Sequence, residues 1–141
     1  MTLVGMDEFT FQLEPELDAA EWASVMERST LAERRPKMTT AELQQMIAQS
    51  DVLVTARHAG KLIGVSRALT DFWQSTYLAD LAVDVDYQRC GIGRELVRLT
   101  HDAAGRRTML VLLAAPAAEK YYPHIGFQPH HSCWIVPRPA G

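Results

Sequence analysis

The sequence predicts an α/β fold in which helices flank a mixed, mostly antiparallel central sheet of about six or seven strands. Short apolar runs typical of strands alternate with amphipathic helical patterns along the 141 residues. No repeat or low-complexity block interrupts this alternation. We therefore expect a single domain over residues 1–141, because this length is typical of one compact domain.

The first half of the chain predicts one strand, two helices and a hairpin. Residues 8–13 alternate polar and apolar side chains, as a half-buried strand does. Residues 19–28 repeat large apolar side chains at helical spacing. Thr39, with Glu42 three residues later, has the form of a capping box that begins a second helix. Two strand patterns then meet at residues 58–61, which predicts a hairpin.

The second half predicts a central strand, a longer helix and several short elements. Residues 75–85 are mostly apolar on both faces, as in a strand in the middle of a sheet. The helix that follows has one apolar stripe, formed by Ile92, Leu96, Leu99 and Ala103. Residues 108–115 predict a buried strand, and residues 116–122 a short helix with proline in its first turn. Residues 126–129 and 132–136 are expected to supply the last strands.

Composition and charge argue against several classes of protein. Hydrophobic residues make up 48% of the chain and charged residues 22%, which predicts a packed core. A net charge of −3 argues against non-specific nucleic-acid binding, which needs a basic surface. The N-terminal stretch lacks a cationic and apolar leader, and no apolar run approaches the roughly 20 residues that span a bilayer. We expect a cytoplasmic protein with two reduced cysteines and no nucleic-acid or membrane partner.

A glycine-rich stretch, DYQRCGIGREL at residues 86–96, joins the central strand to the longer helix. A helix that begins at glycines presents free backbone N–H groups and the positive end of its dipole, which together form an anion site. Gln88, Arg89 and Arg94 can add donors to a phosphate. A plain turn with surface arginines is the alternative, since two glycines alone are a weak motif.

Two stretches of the chain carry a family resemblance. DLAVDVDYQRCGIGRELVRLTHDAA resembles motif A of the GCN5-related N-acetyltransferases, which transfer an acetyl group from acetyl-CoA to an amine. Gln88, Gly91 and Gly93 match its pattern of Gln/Arg-x-x-Gly-x-Gly/Ala. Downstream, AAEKYYPHIGF is similar to the family pattern Ala-x-x-Phe-Tyr-x-x-x-Gly-Phe, with Tyr122 at the tyrosine and Tyr121 in place of the phenylalanine. The resemblance implies the acyl-CoA N-acyltransferase fold over nearly the whole chain.

The resemblance also implies acetyl-CoA as the co-substrate. Its pyrophosphate would lie on the glycine turn, while backbone groups of the preceding strand would pair with the pantetheine arm and polarise the thioester carbonyl. The residues expected to bind it are Leu81, Ala82, Val83, Gln88, Arg89, Cys90, Gly91, Ile92, Gly93 and Arg94. Residues 81–83 fit an ordinary core strand equally well, and both interpretations can hold together.

Tyr122 and Asp80 are the candidate catalytic residues. By resemblance, Tyr122 protonates the departing thiolate, and a phenol with a pKa of about 10 can supply that proton. A packing role is the alternative for this aromatic side chain.

The general base is less defined, because the positions that many members use hold Tyr77 and Ala79 here. Asp80 is the nearest acid, but strand alternation turns it to the other face unless a bulge intervenes. A structural role for Asp80, and proton removal through water near Tyr77, are the alternatives.

The remaining polar clusters predict no metal site. Three histidines and a cysteine lie close together near the C-terminus: His124, His130, His131 and Cys133. Structural zinc sites need paired ligands at characteristic spacings, and no second pair is present. Arg34 and Arg35 stand where family members often form the acceptor entrance; they can recognise a carboxylate or simply be solvated. Ala115 replaces an asparagine that often contacts the coenzyme in the family.

We therefore expect an acetyl-CoA-dependent N-acetyltransferase that acetylates a primary amine of a small molecule by direct attack in a ternary complex. Cys90 lies on the phosphate side, which is a poor position for an acyl carrier. A homodimer is a further expectation from the family. One alternative is a non-catalytic acyl-CoA-binding sensor, which would tolerate the loss of a base. Another is an acetyltransferase acting on a protein N-terminus or lysine.

Overall fold

The computed structural model describes residues 6–139, and within that part the chain forms five strands and four α-helices. Residues 1–5 and 140–141 lie outside the described residues. The expectation that no leader is present rests partly on residues 1–5. The strands are β1 (Phe9–Leu13), β2 (Val52–His58), β3 (Lys61–Thr70), β4 (Ser75–Val83) and β5 (Met109–Val111). The helices are α1 (Ala19–Arg28), α2 (Thr40–Ala48), α3 (Ile92–Ala104) and α4 (Tyr121–His124). Short 3-10 turns occupy Met6–Glu8, Leu31–Arg34, Val85–Tyr87 and Pro116–Ala118.

The sheet follows chain order, β1-β2-β3-β4-β5. Strands β1 to β4 pair antiparallel with their neighbours, whereas β5 runs parallel to β4. A parallel pair needs a crossover, and α3 supplies it. The expected mixed, mostly antiparallel sheet flanked by helices is confirmed, but the described residues form five strands instead of six or seven.

The strands that differ from expectation lie near the C-terminus. Residues 126–129 and 132–136 form no strand, and Trp134 is 90% and Val136 97% exposed. Prolines adjoin both segments, and proline cannot donate a hydrogen bond to a strand ladder. An apolar β pattern forms a strand only where a partner edge and a face to cover are available.

The strand predicted for residues 108–115 is much shorter than expected and is not buried. It spans Met109–Val111 alone, and Met109 is 63% exposed. The reason is topological, because β5 lies at the edge of the sheet. An apolar run has the same appearance in the sequence whether its strand is central or terminal.

The structure confirms the capping box and the hairpin that the sequence predicts. The capping box is present, with the Thr39 side chain accepting from the Glu42 N–H. The hairpin is confirmed by the pairing of His58 with Lys61. Its two turn residues, Ala59 and Gly60, have φ of +49° and +84°, which matches the positive values that tight two-residue hairpin turns require.

Helices cover both faces of the sheet. Helices α1 and α2 bury Trp22 and Leu43 on one face, while α3 buries Ile92 and Leu96 on the other. The α3 stripe is as predicted at its start, but Ala104 replaces Ala103 as its last buried residue. No helix in residues 6–139 has the length and apolar character needed to cross a membrane.

Gly64 on β3 lets α3 approach the sheet closely. A Cβ at this position would lie 3.0 Å from Leu96 Cδ1 and 3.3 Å from Ile92 Cγ2. The crossover helix is therefore seated directly on the strand that neighbours β4, which fixes the start of α3 relative to the end of β4.

Glu14, just after β1, joins β2 and α1 through Arg57. Its Oε1 accepts hydrogen bonds from Arg57 Nε at 2.7 Å and from the Thr55 hydroxyl at 2.6 Å. Its Oε2 accepts from Arg57 Nη2 at 2.9 Å, and Arg57 also donates to Glu21 on α1. The hydrogen bonds from Arg57 are the main reason that the pKa of Glu14 falls to about 2.

We predict that Glu14→Gln destabilises the protein more at neutral pH than in acid. Because the folded pKa of Glu14 lies below its usual value of 4.5, its contribution is present above pH 4.5 and is lost as the pH falls towards 2. Urea unfolding should show a loss of about 2 kcal/mol at pH 7 that shrinks at pH 3. The exposed Glu16→Gln should stay within about 0.5 kcal/mol of wild type at both pH values. A Glu14→Gln loss that does not change with pH would contradict this assignment.

Candidate active site

The glycine turn lies directly between β4 and α3. Arg89 and Gly91 have φ of +67° and +84°, and Gly91 is the N-cap residue of α3. The first turn of an α-helix leaves N–H groups without intrahelical acceptors, so residues 92–94 present donors at the positive end of the helix. The side chains of Arg89 and Arg94 are exposed beside them, whereas Ile92 is buried and can contribute only its backbone.

Gln88 and Cys90 are turned towards the protein backbone. The Gln88 side-chain amide donates to the Val83 carbonyl at 3.1 Å, which ties the loop to the end of β4. Cys90 is a partly buried free thiol, with its Sγ 3.8 Å from the Gln88 carbonyl oxygen. These two residues shape the turn, while the arginines and the free N–H groups face outward.

The loop before the glycines has anchors that sequence reasoning missed. Asp84 is 2% exposed, pairs with Arg28 at the end of α1, and accepts from the Asp86 N–H at 2.9 Å. The Tyr87 hydroxyl lies 2.8 Å from His58 Nδ1 on β2. Since Arg28 and His58 are distant in sequence from Asp84 and Tyr87, no local pattern could have revealed these two contacts.

The C-terminal half of β4 has an open edge. Strand β5 pairs with β4 only over Ser75–Tyr77, and no strand in residues 6–139 pairs with that edge over residues 78–83. The expected coenzyme residues Leu81, Ala82 and Val83 all lie in this stretch. Apart from the Val83 and Ala79 carbonyls, which accept from the Gln88 and Arg35 side chains, the backbone groups that point out from this edge can pair with an extended ligand.

The two tyrosines of α4 lie close to the glycine turn. The rings of Tyr121 and Tyr122 are 5.4 Å apart, and Tyr122 also contacts Phe127 edge-on. A Cβ added at Gly93 would lie 3.0 Å from the Tyr121 hydroxyl oxygen, so the absence of a side chain at Gly93 makes room for Tyr121. Burial raises the pKa of both phenols above the usual 10, while the charge of Arg34 partly opposes the shift at Tyr122.

Asp80 is buried and ion-paired. Its two carboxylate oxygens accept from Arg35 Nε at 2.8 Å and from Arg67 Nε at 2.6 Å. The β3–β4 pairing shifts here by one residue, with Arg67 opposite Asp80 and Ala68 opposite Leu78. A β-bulge is therefore present at the position where one is needed to turn the Asp80 side chain to the other face of the sheet.

Several other predicted residues lie apart from this cluster. Tyr77 is 39% exposed on β4, and the exposed Trp73 ring stacks under the Arg107 guanidinium at 3.2 Å. The rings of His130 and His131 stack on each other in the exposed C-terminal segment. No group of three or more histidine, cysteine or acidic side chains within residues 6–139 is arranged to hold a metal ion, and the expectation of no metal stays a prediction.

We predict an energetic coupling between Gly93 and Tyr121. Gly93→Ala gains helix propensity but crowds the Tyr121 hydroxyl, so Tyr121→Phe should relieve the crowding. In urea unfolding, the alanine should be more favourable in the Tyr121→Phe background than in wild type by about 0.5 kcal/mol or more. Gly60→Ala is the control for additivity: its φ of +84° makes the substitution costly in itself, but nothing lies within 4 Å of the added Cβ, so its effect should be the same in both backgrounds. Strict additivity at Gly93 would refute the contact.

Residues 21–133 match the family model for the acetyltransferase (GNAT) domain. The chain is also 27% identical over 154 residues to the uncharacterized N-acetyltransferase YjhQ of Escherichia coli (strain K12). The alignment covers 91% of this chain and 83% of that protein.

Solved structures show the same fold. The structure of SP0256, a GNAT family acetyltransferase of Streptococcus pneumoniae TIGR4, is similar with a TM-score of 0.69 and 20% identity, covering 92% of this chain and 99% of that one. The aminoglycoside acetyltransferase meta-AAC0020 from an uncultured soil metagenomic sample is similar with a TM-score of 0.72 and 17% identity, covering 96% and 99%. Because the family model covers most of the sequence, this chain belongs to the GNAT family of acetyltransferases.

Proposed function

We propose that this protein is an acetyl-CoA-dependent N-acetyltransferase that acetylates a primary amine of a small molecule by direct transfer in a ternary complex. Membership of the GNAT family supports the class of reaction. The observation that carries the proposal is the approach of Tyr121 to Gly93, because it brings the α4 tyrosines to the glycine turn across nearly 30 residues of sequence.

The glycine turn and the open β4 edge fit a coenzyme that has a pyrophosphate at one point and an extended amide-containing arm beyond it. Residues 89–94 would hold the pyrophosphate through first-turn N–H groups and the two exposed arginines. The backbone of Leu81, Ala82 and Val83 would pair with the pantetheine arm, as the family resemblance implies. Gln88, Cys90 and Ile92 would contribute by shaping the turn.

Acetyl-CoA supplies the acetyl thioester, and the protein supplies the stabilisation of charge and the proton. A backbone N–H on β4 would stabilise the negative charge that develops on the carbonyl oxygen during amine attack. Tyr122 would donate its hydroxyl proton to the sulfur as the thiolate departs. Burial supports this role, because a raised pKa keeps the Tyr122 phenol protonated at neutral pH.

A small amine is the proposed acceptor. The fold similarity to an aminoglycoside acetyltransferase supports a small-molecule substrate, since that protein is named for acetylating one. Direct transfer is supported by the position of Cys90, which lies in the glycine turn with its thiol towards the Gln88 carbonyl. A partly buried thiol that faces the backbone of the turn is poorly placed to carry an acyl group.

The proposal is tested by a thiol-release assay with acetyl-CoA and a panel of amines, beside calorimetry with coenzyme A alone. We expect coenzyme A to bind and at least one small amine to release thiol. Binding without turnover on any amine would favour a non-catalytic sensor. Turnover only on peptide N-termini or lysines would favour a protein acetyltransferase, and a lack of coenzyme binding would refute all three.

We predict that Tyr122→Phe lowers kcat by about 100-fold, since a positioned general acid contributes about that much or more. Coenzyme A affinity should change by less than threefold, because the hydroxyl acts on the departing sulfur. Tyr121→Phe removes the neighbouring hydroxyl and serves as the comparison, with a kcat close to wild type. Equal losses of kcat in the two variants would argue that Tyr122 only packs.

A homodimer is the expected assembly, and we propose that the C-terminal segment contributes to it. Trp134, Ile135 and Val136 are all more than half exposed, as are Met109 and Leu113 around the edge strand. The three exposed apolar side chains at residues 134–136 are consecutive in the chain, and contiguous exposed apolar surface is typical of interaction sites.

Light scattering should give the mass of two chains for wild type, and Trp134→Ser with Val136→Ser should weaken the dimer at least tenfold. Leu13→Ser is the control, because Leu13 is 61% exposed on the opposite edge strand β1. A monomeric wild-type protein would exclude this assembly.

A further inference from the structure

The Asp80 carboxylate lies between two guanidinium groups. Its side chain is 2% exposed, and each of its oxygens accepts a hydrogen bond from a different arginine, Arg35 or Arg67. Arg67 is itself buried, with its guanidinium 5.6 Å from the centroid of the Trp22 ring. A substrate ammonium would have to displace a guanidinium to reach either oxygen of Asp80. This arrangement favours a structural role over that of a general base.

The same cluster surrounds the β4 bulge. Ala79 is the extra residue, because Asp80 pairs with Arg67 while Leu78 pairs with Ala68. A bulge interrupts the ladder and changes the direction of the backbone groups around it. Arg35 Nη2 donates to the Ala79 carbonyl at 3.0 Å, so one guanidinium holds the bulge backbone and the next side chain together.

Arg35 comes from outside the sheet. It follows the 3-10 turn Leu31–Arg34 in the connection between α1 and α2. That turn is packed into the core by Leu31, which is 4% exposed. Arg35 therefore links the α1–α2 connection to β4, the strand on which the thioester would lie. Arg34, the preceding residue, is close enough to Tyr122 for its charge to be felt by the phenol.

We propose that Arg35 is a positioning residue, which aims the backbone N–H groups beside the β4 bulge at the acetyl thioester by clamping Asp80 and the Ala79 carbonyl. Asp80 is then the anchor of this clamp, and the substrate proton leaves through water. This inference rests on the proposed acetyl transfer, but the clamp itself can be tested without turnover.

The first test is Arg35→Ala, which leaves Asp80 paired with Arg67 and so spares the buried carboxylate. We expect kcat to fall by about 10- to 100-fold, because small misplacements of catalytic groups have effects of this size. The KM for acetyl-CoA should change by less than threefold. The pH profile should keep its shape, since no proton-accepting group has been removed. Arg35→Lys should have a kcat between those of wild type and Arg35→Ala. A lysine ammonium lacks the planar fork with which Arg35 reaches Asp80 Oδ1 and the Ala79 carbonyl oxygen together.

Chemical rescue and a matched control separate positioning from stability. Guanidinium chloride at low, non-denaturing concentration should restore part of kcat in Arg35→Ala, and tetramethylammonium chloride at equal ionic strength should not. Arg57→Ala is the control, because it breaks ion pairs to Glu14 and Glu21 at β2, away from β4. It should lose stability without losing kcat.

A measurement without substrate tests the clamp alone. Amide hydrogen exchange at residues 79–81 should accelerate about tenfold in Arg35→Ala and stay unchanged in Arg57→Ala. Unchanged exchange would overturn the clamp. A kcat loss no greater than in Arg57→Ala would overturn the positioning role. A displaced acidic limb of the pH profile would also overturn it and would return Asp80 as the base. If wild type acetylates no amine, the proposed function fails, and the exchange result still decides whether Arg35 holds the bulge.

Discussion

Two carboxylates buried within and directly after β4 constrain how the rest of the chain is arranged around this strand. Asp80 lies within β4 and Asp84 directly after it, and both are almost fully buried. An unpaired buried carboxylate costs several kcal/mol, so each must be met by a charged donor. Arg67 comes from the neighbouring strand, whereas Arg28 and Arg35 come from the helical layer. The helical layer and the strand with the open edge are therefore locked together at two points.

These two points bracket the part of β4 on which coenzyme binding would depend. One pair lies at the bulge and the other at the entry to the glycine turn, where Asp84 also caps the 3-10 turn Val85–Tyr87. Between them, β4 has no partner strand on its outer side within residues 6–139. A strand that lacks one neighbour would normally be free to pair or bend. Here the conformation of β4 is held by the arginine side chains that pair with Asp80 and Asp84.

The sequence was sufficient where the determinants are local. The capping box at Thr39, the hairpin at residues 58–61 and the helix start at Gly91 each depend on backbone requirements within a few residues. The tyrosine motif was recognisable by family resemblance, but the close contact between the Tyr121 hydroxyl and Gly93 could not be predicted from the sequence.

The sequence was insufficient where partners are distant or absent. Arg35 and Asp80 are 45 positions apart, and nothing in either residue type identifies the other. The bulge at Ala79 has no signal, since alanine is compatible with regular strand. The C-terminal segments failed as strand predictions for a related reason: the apolar run at residues 132–136 is compatible with a strand, while pairing itself requires an edge within reach.

The serial order of the sheet also bears on how the molecule assembles. Strands β1 to β4 are each beside a sequence neighbour, and β2 to β4 are joined by short turns, so those pairings close small loops and can form early. Strand β5 can join only after α3 has crossed the sheet and docked over Gly64. The pairing of β5 with β4 is thus expected to form late in folding, after the antiparallel strands β2 to β4 on which the open edge lies.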